Sequence, residues 1–199
     1  MLTIDEVKKT TGIYSIPKNI HINKNTCFDF RLFEALVNPN QDGIKDYNYD
    51  FDVYLPTYGI NLQRPYVWER YQQQEFILSI LQDKPIESVV IIQHNSDSKR
   101  ENTTNFVIDG KQRLMTIQKF GRNEFPIVIN GKEYYFKDFD HDLQWFFISR
   151  VDYMTATIYY TYDDTPLTDD MRIVLFNYYN FAGTPQTEEH KNKLQSLLK

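Results

Sequence analysis

A single cysteine, Cys27, stands in a chain of 199 residues, which excludes an intrachain disulfide framework and fits a reducing compartment. Histidine is nearly as scarce. His21, His94, His141 and His190 are the only four, and no two have the spacing that puts a metal-binding pair on one helix face, so no histidine-metal nuclease centre is visible. No apolar run approaches the ~20 residues of a membrane helix. The opening Met1-Leu2-Thr3-Ile4-Asp5 lacks the basic-then-apolar start of a signal peptide. A soluble, cytoplasmic protein with no membrane partner is expected. Internal repeats, low-complexity tracts and long linkers are also missing. The net charge of −5 and pI near 5.4 weigh against an unselective nucleic-acid coat.

What is present argues for a folded unit. Hydrophobic residues make up 41% of the chain, with 15 Tyr and 14 Phe, which argues against general disorder. The length suits one domain with a substantial core. We expect a single α+β domain over residues 1–199, in which 1–56 form an N-terminal helical cap and 57–190 form the core that carries the chemistry.

Within the cap, Thr3 to Lys9 reads as a short helix and Phe28 to Val37 as a better one, with Phe28, Leu32, Phe33, Leu36 and Val37 on one side. Asn38 to Gly43 reads as a turn. Asp46, Asn48 and Asp50 alternate as calcium-loop ligands do, yet Phe51 stands where the sharp turn needs Gly and Thr57 where a bidentate Glu belongs. The core then reads as a helix from about Trp68 to Gln82, a break at Lys84-Pro85, and a strand Ser88 to Gln93. A polar loop from His94 to Thr103 leads to a strand Thr104 to Ile108, antiparallel to the previous one. Asn130-Gly131 is the strongest short hairpin signal, between Phe125–Ile129 and Glu133–Phe136. A helix His141 to Ser149, a strand Met154 to Tyr160, and a helix capped by Thr168 and ending near Gly183 complete the pattern, with Thr187 capping one more.

The most informative string is Ile108-Asp109-Gly110-Lys111-Gln112-Arg113-Leu114. An apolar strand ends there in a tight acidic turn, and Leu114, Ile117 and Phe120 recur at helical spacing beyond it. The first N–H groups of such a helix lack intrahelical partners and sit at the positive end of its macrodipole, where they favour an anion such as phosphate. Lys111 and Arg113 add formal charge, Arg with a planar fork that holds two oxygens at once. The surroundings are basic. Between Lys99 and Arg122 six Lys or Arg face only Glu101 and Asp109, whereas Asp163, Asp164, Asp169 and Asp170 face no base. The basic strip suits steering of a phosphate or nucleic-acid backbone; the acidic stretch reads as a solvated loop running into a helix N-terminus.

Two further strings accompany this one. Upstream stands Gly59-Ile60-Asn61-Leu62-Gln63-Arg64-Pro65-Tyr66-Val67-Trp68-Glu69, and downstream Phe176-Asn177-Tyr178-Tyr179-Asn180-Phe181-Ala182-Gly183-Thr184-Pro185-Gln186-Thr187-Glu188-Glu189. In order and spacing the three blocks, over about residues 57–121 and 173–190, resemble the N-terminal domain of GmrSD-type modification-dependent restriction proteins, a branch of the ParB and sulfiredoxin-like superfamily. The resemblance implies a small mixed sheet with surrounding helices and a phosphate cleft made by the three blocks. It has two departures. Lys111 stands where the family usually carries Gln, and the second domain with an HNH-type centre, found in full-length restriction members, has no counterpart in 199 residues. The cysteine that sulfiredoxins use in their phosphate motif is also absent.

Under that resemblance, Gln63, Arg64, Gly110, Lys111, Arg113, Thr116, Asn180 and Thr184 are the expected phosphate or nucleotide ligands, and Asp109, Gln112 and Arg113 the candidate catalytic residues. Asp109 is a divalent-metal contact, a water-orienting carboxylate, or an N-cap holding the turn. Gln112 bonds a phosphate or positions water, or is an ordinary surface amide. Tyr66 and Trp68 stack on a base or, as aromatics at a helix entry usually do, join the core. Mg²⁺ and a nucleoside triphosphate are the cofactor and ligand implied, with DNA and a separately encoded nuclease or other defence protein as further partners. Function divides accordingly. One class is an enzyme that hydrolyses nucleotides or nicks DNA, in bacterial or phage defence or counter-defence. A second is a non-catalytic nucleotide- or DNA-binding module working with a nuclease. A third is a scaffold that keeps only the fold.

Overall fold

The computed structural model describes residues 20–27, 31–39, 47–95, 103–161 and 167–180. Nine strands and five α-helices occur among them: β1 (His21–Cys27), α1 (Leu32–Val37), β2 (Tyr47–Asp50), β3 (Tyr54–Leu55), β4 (Ile60–Asn61), α2 (Arg70–Leu81), β5 (Val89–Asn95), β6 (Thr103–Asp109), α3 (Lys111–Gly121), β7 (Ile127–Ile129), β8 (Lys132–Tyr134), α4 (His141–Asp152), β9 (Thr155–Tyr160) and α5 (Asp169–Asn180). Five strands form one mixed sheet in the order β1-β9-β5-β6-β2. The inner pair β5 and β6 is antiparallel, β9 lies parallel to β5, and β2 lies parallel to β6. The fold is therefore mixed α+β.

Successive side chains of a strand point to opposite faces, and both faces here are apolar. Val89 and Ile91 of β5 with Val107 of β6 face one core, shared with α1, α2, α3 and α4. Val90, Ile92, Phe106 and Ile108 face a second core, shared with α5 and the segment from Val53 to Leu62. This double burial explains why Val89-Val90-Ile91-Ile92 is a continuous apolar run rather than an alternating one. Phe33, Phe120, Phe136, Phe139 and Phe147 form a linked set of tilted and edge-on ring contacts in the first core, geometries that aromatic quadrupoles favour.

The described part of residues 1–56 contains strands as well as the expected helix. β1 pairs with β9 and β2 with β6, so this segment supplies both edge strands of the sheet. Its strands carry few of the apolar alternations that mark a strand; pairing with the sheet, rather than local pattern, makes them extended. The helix expected over Phe28 to Val37 is shorter, Leu32–Val37, and is held from outside. The Phe33 amide donates to Asp152 of α4 at 2.8 Å, and Gln118 of α3 and Arg122 just beyond it donate to the Leu36 and Val37 carbonyls. Groups that a six-residue helix leaves unmet are thereby satisfied. Gly121 permits that approach, since a Cβ there would lie 2.5 Å from Val37 Cγ2. The helix expected at Thr3 to Lys9, the Thr187 cap, the Gly183 terminus and residues 96–102 lie outside the described residues.

Other expectations agree with the structure. β7 and β8 form a hairpin whose Asn130 and Gly131 both have positive φ (51° and 75°), as a two-residue loop of this kind requires. α2 begins two residues later than expected because Glu69 and Gln72 form a capping box. The Thr168 hydroxyl accepts from the Met171 amide at 3.3 Å. The calcium-loop pattern is used differently: Asp50 Oδ1 accepts the Asp52 and Val53 amides, at 2.8 and 3.0 Å. No helix among the described residues is long and apolar enough to cross a membrane.

Candidate functional site

The candidate site is built at the β6–α3 junction. Between Val90↔Asp109 and Ile91↔Val107 the β5–β6 register shifts by one residue, a β-bulge that frees carbonyls from the ladder and re-aims the end of the strand. Two distant side chains occupy those carbonyls. Gln63 Nε2 donates to Val107 O at 2.7 Å and Ile108 O at 2.9 Å, and Asn180 Nδ2 donates to Ile108 O at 3.1 Å. The three sequence blocks thus converge on one bulge, and Gln63 and Asn180 fasten it.

Gly110 makes the turn that follows. Its φ of +102° belongs to glycine, and a Cβ there would meet Val89 Cγ1 at 2.5 Å. No side chain caps α3, so its first turn opens onto a cleft of about 720 Å³. Gly110, Lys111, Gln112 and Arg113 line it together with Asp109, Arg64, Val67, Trp68, Glu87, Tyr179 and Asn180.

Each cation in the cleft is placed differently. Arg113 Nη2 meets Asp109 Oδ2 at 2.8 Å, and its Nη1 donates to the Glu87 carbonyl, with only 12% of the side chain exposed. Asp109 therefore orients Arg113 and is not the N-cap of α3, because the turn at Gly110 leaves its carboxylate beside the guanidinium rather than over the first amides. Lys111 is 6% exposed, and its Nζ reaches away to Asp52 Oδ1 at 2.9 Å. Arg64 is exposed and has no side-chain partner among the described residues, yet it lines the cleft.

Four further expected site residues have other duties. Thr116 is fully buried, its hydroxyl donating to Gln112 O at 2.7 Å and bonded to Tyr66 OH at 2.8 Å. The i−4 back-bond and the Tyr66 contact hold it in the interior, and it does not line the cleft. Gln112 Oε1 accepts the Val67 and Trp68 amides, at 2.9 and 3.2 Å, and its Nε2 donates to Pro65 O. Its amide fastens the 65–68 loop to α3. Trp68 packs edge-on against Phe76 at 5.4 Å, and Tyr66 carries Lys119 Nζ over its ring at 5.2 Å. Burial raises the Tyr66 phenol above its ordinary pKa. Thr184 lies outside the described residues.

The range that holds all three blocks was compared with known protein families. A model of the GmrSD restriction endonuclease N-terminal domain matches residues 41–197. The chain belongs to that family. No curated protein and no solved structure matches the chain. The match takes in β2 and both motif-bearing turns of this GmrSD N-terminal domain.

Sequence reasoning missed Asp52, Glu87 and Tyr179. Asp52 meets Lys111 from 59 positions away, so only tertiary pairing reveals it. Tyr179 sits one residue before Asn180 in a string already singled out, and its hydroxyl bonds Tyr159. No group of three His, Cys, Asp or Glu that would hold a metal alone occurs among the described residues. Asp109 and Glu87 nevertheless line the same cleft, and Mg²⁺ characteristically takes only one or two carboxylates, completing its shell with substrate phosphates and water. Asp109 and Glu87 are the two carboxylates of the cleft that could hold a metal.

Proposed function

We propose that this GmrSD N-terminal domain binds the phosphate groups of a nucleoside triphosphate in the cleft at Gly110, and hydrolyses it with Mg²⁺ in a restriction-defence setting. The observation that carries this reading is the uncapped first turn of α3 opening onto a cleft beside Arg64, an exposed guanidinium with no other partner among the described residues. Uncapped amides and a forked cation are the elements of a phosphate seat. In this reading Arg64 closes on the terminal phosphates and Arg113, fixed by Asp109, supplies a preorganised positive charge. Asp109 and Glu87 would hold the metal, which would supply charge stabilisation of the kind on which phosphoryl transfer depends.

A second reading, a binding module that works with a nuclease on another chain, is favoured by the engagement of Gln112. An amide bonded to three backbone groups is held by the 65–68 loop and keeps one N–H for the cleft. DNA contact and nicking belong to this second reading, with the basic strip as its support.

Phosphate release from the four ribonucleoside triphosphates with Mg²⁺, and nucleotide binding measured by calorimetry, separate the two. Charge-assisted bonds contribute about 1.5–3 kcal/mol, so Arg64→Ala should weaken nucleotide binding about 10- to 100-fold while leaving the melting curve unchanged. Binding without release supports the module; unchanged affinity in both Arg64→Ala and Arg113→Ala removes the phosphate seat altogether.

A further inference from the structure

A second cleft, of about 640 Å³, lies on the other side of the 63–68 loop. Its walls are the rings of Tyr49, Phe51 and Tyr66, the carboxylate of Asp52, and Thr104 and Met115. Tyr49 and Phe51 are two residues apart and stack at 6.5 Å with planes 30° from parallel, so one side of the cleft is a continuous aromatic surface. The chain has already placed one ammonium group here. Lys111, which lines both clefts, puts its Nζ 2.9 Å from Asp52 Oδ1. Asp52 is 61% exposed, which leaves it open to a ligand from solution. Asp50, also in the wall, is turned to backbone amides and to the charge of Arg172, so Asp52 is the carboxylate available.

We infer that this second cleft seats an alkylated ammonium ligand, with its methyl or methylene groups against the Tyr49, Phe51 and Tyr66 rings and its charge at Asp52. Aromatic faces attract cations through the ring quadrupole, most strongly where water is partly excluded, and a phosphate-bearing ligand is disfavoured by the carboxylate. The ligand competes with Lys111 for Asp52. A Lys111 ammonium released from Asp52 has the first cleft as its other exit, so ligand in the second cleft strengthens anion binding in the first. By linkage, anion in the first cleft strengthens cation binding by the same factor. This coupling rests on the phosphate reading above; the cation seat does not.

The test uses tetramethylammonium chloride on the whole chain, against potassium chloride at equal ionic strength. Intermolecular nuclear Overhauser effects from the methyl protons to the Tyr49, Phe51 and Tyr66 rings, saturating with concentration, are expected in the native protein. Asp52→Asn and Thr104→Lys, each checked by circular dichroism, should weaken saturation at least ten-fold. Absence of ring contacts in the native protein overturns the seat, as does native-like saturation in either folded variant. Inorganic tripolyphosphate then reports the coupling: its affinity should rise several-fold with tetramethylammonium and fail to rise in Lys111→Met. Ring contacts with an unchanged tripolyphosphate affinity overturn the coupling, whereas ring contacts with no tripolyphosphate binding at all count against the phosphate cleft and leave the cation seat standing.

Discussion

Replacing Gly110 with alanine tests the turn on which the site depends. Two costs arise. The first is conformational: φ of +102° is a region that costs an L-residue about 1–2 kcal/mol. The second is steric: the new Cβ would lie 2.5 Å from Val89 Cγ1 and 3.0 Å from Val89 Cβ, and Val89 is fully buried in the β5 strand. It cannot swing into solvent, so relief requires a backbone shift, for which overpacking costs of about 1–3 kcal/mol are typical. Gly110→Ala should therefore lose about 2–5 kcal/mol in urea denaturation followed by circular dichroism. The two parts are separable. Val89→Ala removes the methyl groups that the added Cβ would strike but leaves φ as it is, so the double variant should be more stable than the sum of the single losses by about 1–2 kcal/mol, within the range of contacting pairs. A loss under about 0.5 kcal/mol for Gly110→Ala, the ordinary range of surface changes, or strict additivity with Val89→Ala, would refute the reasoning.

Gln112→Ala removes bonds to Pro65, Val67 and Trp68 and should cost about 1–3 kcal/mol, with faster limited proteolysis in the 65–68 loop than in the native chain; an unchanged cleavage rate would show that the amide does not hold the loop. Burial raises the Tyr66, Tyr159 and Tyr179 phenols above their ordinary range, and Tyr159 is raised further by its bond to Tyr179. The folded chain then holds these protons at pH values where the unfolded chain releases them. The stability they contribute is complete below pH about 10, the unfolded tyrosine value, and falls as pH rises beyond it. Urea midpoints between pH 9 and 12, with phenolate absorbance in parallel, should show that decline, and Tyr159→Phe should make it shallower. Identical slopes in both chains would exclude Tyr159 as a source.

The local pieces of this protein were legible in its residues before any coordinates. The Asn130-Gly131 hairpin, the strand-to-helix switch at Asp109-Gly110 and the strand at Ser88 to Gln93 are short-range consequences of φ preference and side-chain period, and all three are present. The family was legible too, because its three blocks are runs of residues whose order survives without coordinates. Which groups those residues meet was decided by folding. β1 and β2 are extended because the sheet edges pair with them, a non-local effect that no strand propensity announces. Gln63, Gln112 and Asn180 look alike as polar motif residues, yet each is consumed by carbonyls or amides that a bulge and a loop leave unpaired. Lys111 and Arg113 stand two positions apart, and one full helical turn is 3.6 residues, so they leave α3 in different directions. One pairs with Asp52 across the 63–68 loop and the other with Asp109 in the cleft. Arg64 is left as the exposed cation facing it, because backbone hydrogen bonds and carboxylates, brought together only in the tertiary structure, have claimed the rest.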